Sequence, residues 1–327
     1  MDYRFVGSTG VEVSPLCFGT MSFGSEADEE TSAAMYRRVR ERGINFFDTA
    51  NVYTAGRSEE ILGKLVVGER DDVVITSKVG FRMKGGPNGQ GLSRRHIMQS
   101  VEASLTRLGT DRIDFYFVHT FDPNTPIEQT LRALDDLQQQ GKILYPAVSN
   151  WAAWQIATAR GISAREGLAR FELIQPMYNL VKRQAEVEIL PLAQAERMGV
   201  ITYSPLGGGL LTGKYRGGRR PEGGRLVENA RYADRYGQES DRTTAERFAA
   251  FADDAGISPA ALAVAWVMGH PGVTAPIVGA RNLEQLEGSL SALDVDMTPD
   301  LRRQISGLSP TPPPATDRSE AVTGNWT

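Results

Sequence analysis

Short apolar runs alternate along the chain with longer stretches whose apolar positions recur at helical spacing. The first kind has the length and bulk of buried strands, the second the pattern of amphipathic helices. In order, the strand candidates are 15–19, 45–48, 73–78, 115–119, 145–149, 173–175, 201–204 and 274–278. Helical stretches at 30–42, 58–67, 93–108, 126–140, 152–166 and 183–197 separate them, followed by 259–269 and 282–293. Ser258 and Pro259 suit the cap and first helical position of the 259–269 stretch. Residues 3–13 read as a β-hairpin turning at Gly7 and at Thr9-Gly10.

Eight short strands, each followed by a helix, predict an α/β fold: a closed parallel (β/α)8 or TIM barrel with the N-terminal hairpin across one end. An open doubly wound sheet is the alternative, but its Gly-x-Gly-x-x-Gly turn after the first strand is missing. No linker interrupts the alternation, so residues 1–309 are expected to form one domain. Residues 208–237, after the seventh strand, are rich in Gly and Arg and read as a long mobile flap. The proline-led, polar stretch 310–327 reads as an extended or disordered tail. Its Asn325-Trp326-Thr327 matches a glycosylation acceptor, without meaning in a cytosolic chain.

Composition narrows the partners more than the fold. A chain of 327 residues with 41% hydrophobic and 23% charged content is ordinary for a globular protein. The net charge of −4 argues against nucleic acid or an anionic membrane, so an anionic ligand would need local groups to hold it. The single cysteine, Cys17, allows no disulfide, and with three histidines (His96, His119, His270) no metal cage is expected. The opening MDYRFVGSTG lacks the features of a signal peptide, and no apolar run is long enough to span a bilayer. A cytoplasmic metabolic enzyme is the expectation.

In a parallel barrel the C-terminal strand ends share one mouth, where the loops build the site. Asp48 ends the second strand, Lys78 the third and His119 the fourth, and Tyr53 follows in the loop after Asp48. Singly, each has an ordinary explanation: a turn former, a lysine reaching solvent, a satisfied core histidine. Together, in barrel order, they suit proton delivery to a carbonyl oxygen. A free phenol, with a pKa of about 10, is too weak an acid without help, and a nearby ammonium lowers that value. Lys78 would supply the charge, Asp48 would hold Lys78, and His119 would orient the substrate oxygen. No nucleophile, metal cage or carboxylate pair competes for the role.

Ser149 and Asn150 end the fifth strand, Gln175 ends the sixth, and Tyr203 lies in the seventh. Their amide and hydroxyl groups suit a carboxamide and Tyr203 could stack on a ring, although Ser and Asn cap helices equally well. The glycines of Ser204-Pro205-Leu206-Gly207-Gly208-Gly209 would let backbone amides approach a pyrophosphate. Residues 208–214 nearly fit a Walker A loop, but Tyr215 stands where Ser or Thr is required. Gly279-Ala280-Arg281, with Gln285 one turn on, offers a guanidinium beside a helix start, apt for a phosphate or else simply exposed.

FFDTA with Tyr53, then TSK and VH, resemble at this spacing the Asp–Tyr–Lys–His tetrad of the aldo-keto reductases, and the likeness runs from Gly19-Thr20 to about Ser289. The resemblance implies NADPH-dependent reduction of an aldehyde or ketone to an alcohol, with Tyr53 as the acid and Asp48, Lys78 and His119 completing the catalytic set. It implies that NADP(H) is held by Gly19, Thr20, Met21, Asp48, Ser149, Asn150, Gln175, Tyr203, Ser204, Pro205, Leu206, Gly207, Gly209 and Lys214. The loop after the seventh strand would lie over the cofactor, and Gly279, Ala280, Arg281 and Gln285 would take the 2′-phosphate. Gly288 and Ser289 depart from the acidic residue and Asn that the family often uses for adenine. Tyr53 and His119 would meet the small-molecule carbonyl substrate, with Phe23 and Trp151 as an aromatic mouth; both aromatics could equally be core. VSNW, SPLGGGLLTGKY and VGAR look nearer the bacterial and channel-subunit branches, which suggests sugars, ketosugars or small aldehydes and ketones. Two other readings stand beside it: a cofactor-binding accessory subunit like the potassium-channel beta subunits, with little turnover, and a barrel lyase or isomerase without nicotinamide. Physiological substrate and oligomeric state are not legible.

Overall fold

Residues 1–316 are described by a computed structural model. Strands β1 (Arg4–Phe5) and β2 (Glu12–Val13) pair antiparallel as the opening hairpin. Gly7 and Gly10 take positive φ at its turn, as expected of glycine there. Eight parallel strands follow: β3 (Cys17–Gly19), β4 (Phe46–Asp48), β5 (Val74–Val79), β6 (Ile113–Val118), β7 (Ile143–Ser149), β8 (Leu173–Gln175), β9 (Gly199–Thr202) and β10 (Ala275–Val278). Each pairs with the next, and β10 returns to β3 through Ile277 opposite Cys17, closing the predicted barrel.

The period of two along each strand sorts side chains between two cores. Phe46, Phe115, Phe117, Leu173 and Ile201 fill the barrel interior together with Val6 and Val13 of the hairpin. Phe47, Tyr116 and Val118 face outward into the layer beneath the helices, where Phe47 stacks on Tyr36 at 5.1 Å. The hairpin seals the N-terminal end of the barrel closely. A Cβ on Gly7 would come within 2.5 Å of the Arg197 carbonyl, and the Tyr145 hydroxyl reaches the Thr9 carbonyl at 3.2 Å.

Helices α1 (Glu29–Glu41), α2 (Arg57–Leu65), α3 (Arg94–Leu108), α4 (Ile127–Gln139) and α5 (Ala153–Glu166) lie close to their predicted spans. The single helix expected over 183–197 is instead a 3-10 turn, Gln184–Glu186, and a short α6 (Ile189–Ala195). Pro191 lacks an N–H and is tolerated only in a first turn, so the helix must begin just before it. The 208–237 stretch, expected to be an open flap, carries 3-10 turns at Gly207–Thr212 and Arg216–Gly218, then α7 (Arg225–Glu228) and α8 (Ala230–Arg235). Sequence reading missed α9 (Glu239–Asp254), which follows it.

Next come α10 (Pro259–Met268), buried on nearly every side, and α11 (Leu283–Leu290). The final helix, α12 (Pro299–Ser306), was also unanticipated; it docks where the buried Trp266 indole donates to the Ser306 hydroxyl at 3.0 Å. Residues 310–316 form no helix or strand, and the rest of the expected tail, with its glycosylation match, lies outside the described residues. No single described helix is long and apolar enough to cross a membrane.

Candidate active site

The C-terminal strand ends bring Asp48, Lys78 and His119 to one mouth, and the turn after β4 carries Tyr53 over them. That turn is tight: Thr54 and Ala55 both adopt left-handed φ, at 48° and 54°. Such conformations cost free energy and persist where surrounding structure enforces them. Lys78 is fully buried, and its Nζ lies 2.6 Å from Asp48 Oδ2, 2.7 Å from the Thr49 carbonyl and 3.3 Å from the Tyr53 hydroxyl. The other Asp48 oxygen, Oδ1, accepts from the Thr76 hydroxyl at 2.6 Å and from Gln175 Nε2 at 2.8 Å. The His119 ring stands edge-on to Tyr53, with centroids 6.0 Å apart.

Burial and charge set the protonation of this group. Burial penalises the charge on Lys78, but Asp48 and Tyr53 outweigh it, and the ammonium is held above its ordinary pKa. For Tyr53 burial is again the largest influence. It raises the phenol above 10.0 against the opposing pull of Lys78, so the net shift is upward, not downward as the ammonium alone predicts. Burial, and then the Lys78 charge, push His119 well below 6.5, and the imidazole is neutral. Its Nδ1 is buried without a partner among the described residues.

Tyr53, Asp48 and His119 line a cavity of about 920 Å³ that also takes in most of the residues expected to hold a cofactor. Gly19, Met21, Ser149, Asn150, Gln175 and Tyr203 all line it, as do Ser204, Pro205, Leu206 and Gly209. Lys214, Gly279, Ala280, Arg281 and Gln285 complete the set that reaches the cavity. Thr20 and Gly207 do not. Thr20 is buried, its hydroxyl donating to the Asp48 carbonyl at 3.1 Å and so tying β3 to β4. Gly207 is buried between Val181 and Tyr236.

The aromatic pair expected at the substrate mouth is corrected: Phe23 and Trp151 are core. Phe23 is fully buried against Phe18, and Trp151 packs edge-on between Phe121 and Phe171. Both follow strand ends, where apolar bulk is needed beneath the loops. The aromatic wall comes instead from Phe81, whose ring meets His119 at 4.5 Å, and from Tyr232 on α8. Neither carried a sequence signal: Phe81 sits in a loop, and α8 is too short to show a periodic pattern.

The polar residues near the tetrad form one connected chain. Tyr203 donates its hydroxyl to Asn150 Oδ1 at 2.8 Å, and Asn150 Nδ2 donates to the His119 carbonyl at 2.9 Å. Asn150 and Ser204 hold left-handed φ of 58° and 61°, unusual for residues other than glycine. A second set of lining residues is cationic. Burial, Arg281 and Arg225 together lower the pKa of Lys214, so these three cations crowd one another. Arg281 donates to the Gly223 carbonyl at 2.8 Å, across the start of the covering segment, and approaches Glu26 at 3.6 Å. Gly208 and Gly209 hold left-handed φ of 66° and 93°, and a Cβ on Gly208 would lie 2.8 Å from the Tyr232 ring. Crowded cations beside side-chain-free backbone, in a chain of net charge −4, suit an elongated ligand with several phosphates.

Comparison with known proteins agrees with this geometry. The sequence profile of the Aldo/keto reductase family matches residues 15–309. A probable voltage-gated potassium channel subunit beta of Arabidopsis thaliana is 38% identical over 302 residues, covering 90% of this chain and 92% of that protein. An uncharacterized oxidoreductase of Bacillus subtilis, YrpG, is 35% identical over 95% of this chain and 97% of its own. Versiconal hemiacetal acetate reductase of Aspergillus parasiticus is 34% identical over 92% and 94% respectively. With a profile spanning nearly the whole barrel and full-length relatives at this identity, the chain belongs to the aldo/keto reductase family of oxidoreductases.

Proposed function

We propose that this protein reduces small aldehyde or ketone substrates to alcohols with NADPH, Tyr53 delivering the proton. The observation that carries this reading is the line of contacts Tyr53–Lys78–Asp48, a phenol within 3.3 Å of a fully buried ammonium that is itself locked to a carboxylate. The hydride for the carbonyl carbon would be supplied by NADPH held in this cavity. At neutral pH the raised pKa keeps Tyr53 protonated, as a donor must be. As its proton leaves, the Lys78 charge stabilises the phenolate that remains, in a site dry enough to make that interaction strong. Asp48, fixed by Thr76 and Gln175, keeps Lys78 charged and in place. Neutral His119 offers an N–H to the substrate oxygen and fixes its approach.

Ser149, Asn150 and Gln175 would hold the carboxamide, and Tyr203 would cover the ring. Gly209 and its neighbours would admit the pyrophosphate, and Lys214, Arg281 and Gln285 the terminal phosphate. An accessory role with little turnover, suggested by the name of the Arabidopsis relative, is not favoured: cofactor binding alone has no need of a phenol against a buried ammonium. The test is Tyr53→Phe. Carbonyl reduction should fall about 10²–10⁴-fold, the usual range for losing a general acid, while NADPH affinity by fluorescence titration stays near that of the parent. Normal turnover in Tyr53→Phe would defeat the assignment.

A further inference from the structure

The cavity is rich in positive charge. Five cationic residues line it, Lys214, Arg225, Arg231, Arg235 and Arg281, against two carboxylates, Asp48 and Glu284. Asp48 is already committed to Lys78. Lys214, Arg225 and Arg281 form the crowded group assigned above to phosphates. Arg231 and Arg235 are different. They stand one turn apart on α8, on the same face of the helix. Among the described residues neither guanidinium has a carboxylate or other hydrogen-bonded acceptor. Arg235 instead lies over the Tyr232 ring, 5.2 Å from its centroid.

Their position relative to the reacting phenol can be read from neighbours. The Arg235 charge pulls the Tyr203 phenol down against its burial, and Tyr203, Tyr232 and Tyr53 line one cavity with Arg235. Tyr203 in turn bonds to Asn150, beside His119. Arg235 thus lines the same cavity as Tyr53 and His119, and shares the Tyr232 ring with Arg225 of the phosphate group, at 5.2 and 5.1 Å. A half-buried guanidinium without an acceptor, resting on the Tyr232 ring, keeps its fork free for an anion.

Resting on the carbonyl reduction proposed above, we propose that the substrate is an anionic carbonyl compound, a short aldehyde or ketone bearing a carboxylate or phosphate. Arg235, assisted by Arg231, selects it. The planar fork of an arginine matches either group through two parallel hydrogen bonds, which fixes the carbonyl end toward Tyr53 and His119. A neutral analogue would leave that fork unpaired, and buried polar groups left unpaired are the strongest source of discrimination a binding site has.

The experiment uses the NADPH complex and two matched pairs: 4-oxobutanoate against its methyl ester, and glyceraldehyde 3-phosphate against glyceraldehyde. The anionic member of at least one pair should have a kcat/KM about tenfold higher or more, mainly through KM, and the preferred pair tells carboxylate from phosphate. Arg235→Gln should collapse that anionic-to-neutral ratio toward one, Arg235→Lys should retain part of it, and added salt should shrink it in the parent. A ratio near one in the parent, or a ratio that survives Arg231→Gln/Arg235→Gln, overturns the inference while leaving carbonyl reduction intact. Reduction of none of the four compounds would overturn both readings. Calorimetric titration of the NADPH complex with succinate and with 2-phosphoglycolate decides the same point without turnover: tenfold weaker binding in Arg235→Gln supports it, and equal binding refutes it.

Discussion

Gln175 donates its Nε2–H to Asp48 Oδ1 at 2.8 Å, joining positions 127 residues apart at the barrel mouth. The carboxylate is thereby fully engaged, with Thr76 on the same oxygen and Lys78 on the other. Gln175→Leu removes a donor from a buried charge, and a loss of about 1–3 kcal/mol of stability is expected. Denaturant unfolding checks it, and an unchanged midpoint would show that Asp48 does not depend on this bond.

Lys78→Met leaves the Asp48 carboxylate buried beside no cation, which typically costs about 3–5 kcal/mol. Removing both charges, as in Asp48→Asn/Lys78→Met, should recover a good part of that stability while activity stays lost. If the double variant is no more stable than the single one, the two charges are not coupled as their 2.6 Å contact implies.

The pH profile follows from two displaced groups. His119 lies well below 6.5 and Tyr53 above 10.0, so neither titrates between these values. Reduction should therefore show no inflection near the ordinary histidine pKa, and the decline from loss of the phenolic proton should come only in alkali. A clear break in kcat near neutrality would contradict this.

Stability has its own pH dependence. His270 is pushed down to about 4, chiefly by burial, and its Nδ1 accepts from the Gly272 amide at 2.9 Å, a role only the neutral ring can fill. Below the ordinary histidine pKa of about 6.5 the unfolded chain binds this proton and the folded one does not, so stability falls as pH drops from there toward 4. His119 acts in the same direction. Thermal melts across that window should show the fall, and His270→Gln should flatten it; parallel curves would exclude His270 as a source.

Arg281→Ala should weaken NADPH about tenfold or more relative to NADH, since a guanidinium facing a 2′-phosphate has nothing to gain from NADH. Equal losses for the two cofactors would assign Arg281 to the covering segment instead, through its bond to the Gly223 carbonyl.

What was legible in the sequence was set by burial. Asp48, Lys78 and His119 each stand at the end of a short strand rich in apolar or β-branched residues, so both strand and terminal group could be read from neighbouring residues. Phe23 and Trp151 stayed open between mouth and core because an aromatic after a strand looks alike whether it faces a cavity or the layer below. Helix α9, with its Asp, Arg and Glu, buries Thr244, Ala245, Phe248 and Ala252 on one face, but small residues give a weak periodic signal. Tyr232 and Arg235 lay in a stretch whose glycines suggested only a loop, and their relation to Tyr53 exists only once the segment folds across the mouth. Pro191 was visible and its effect on the 183–197 helix could have been anticipated.

The hairpin under the barrel has one more implication. Val6 and Val13 close the far end, and above them Phe46, Phe115 and Phe117 pack the interior with apolar side chains. In the proposed reduction, a hydrogen ion surrendered by Tyr53 is replaced through the same rim by which reactants come and go. Recharging the acid and clearing product are competing traffic at one doorway, and neither can be relieved from below.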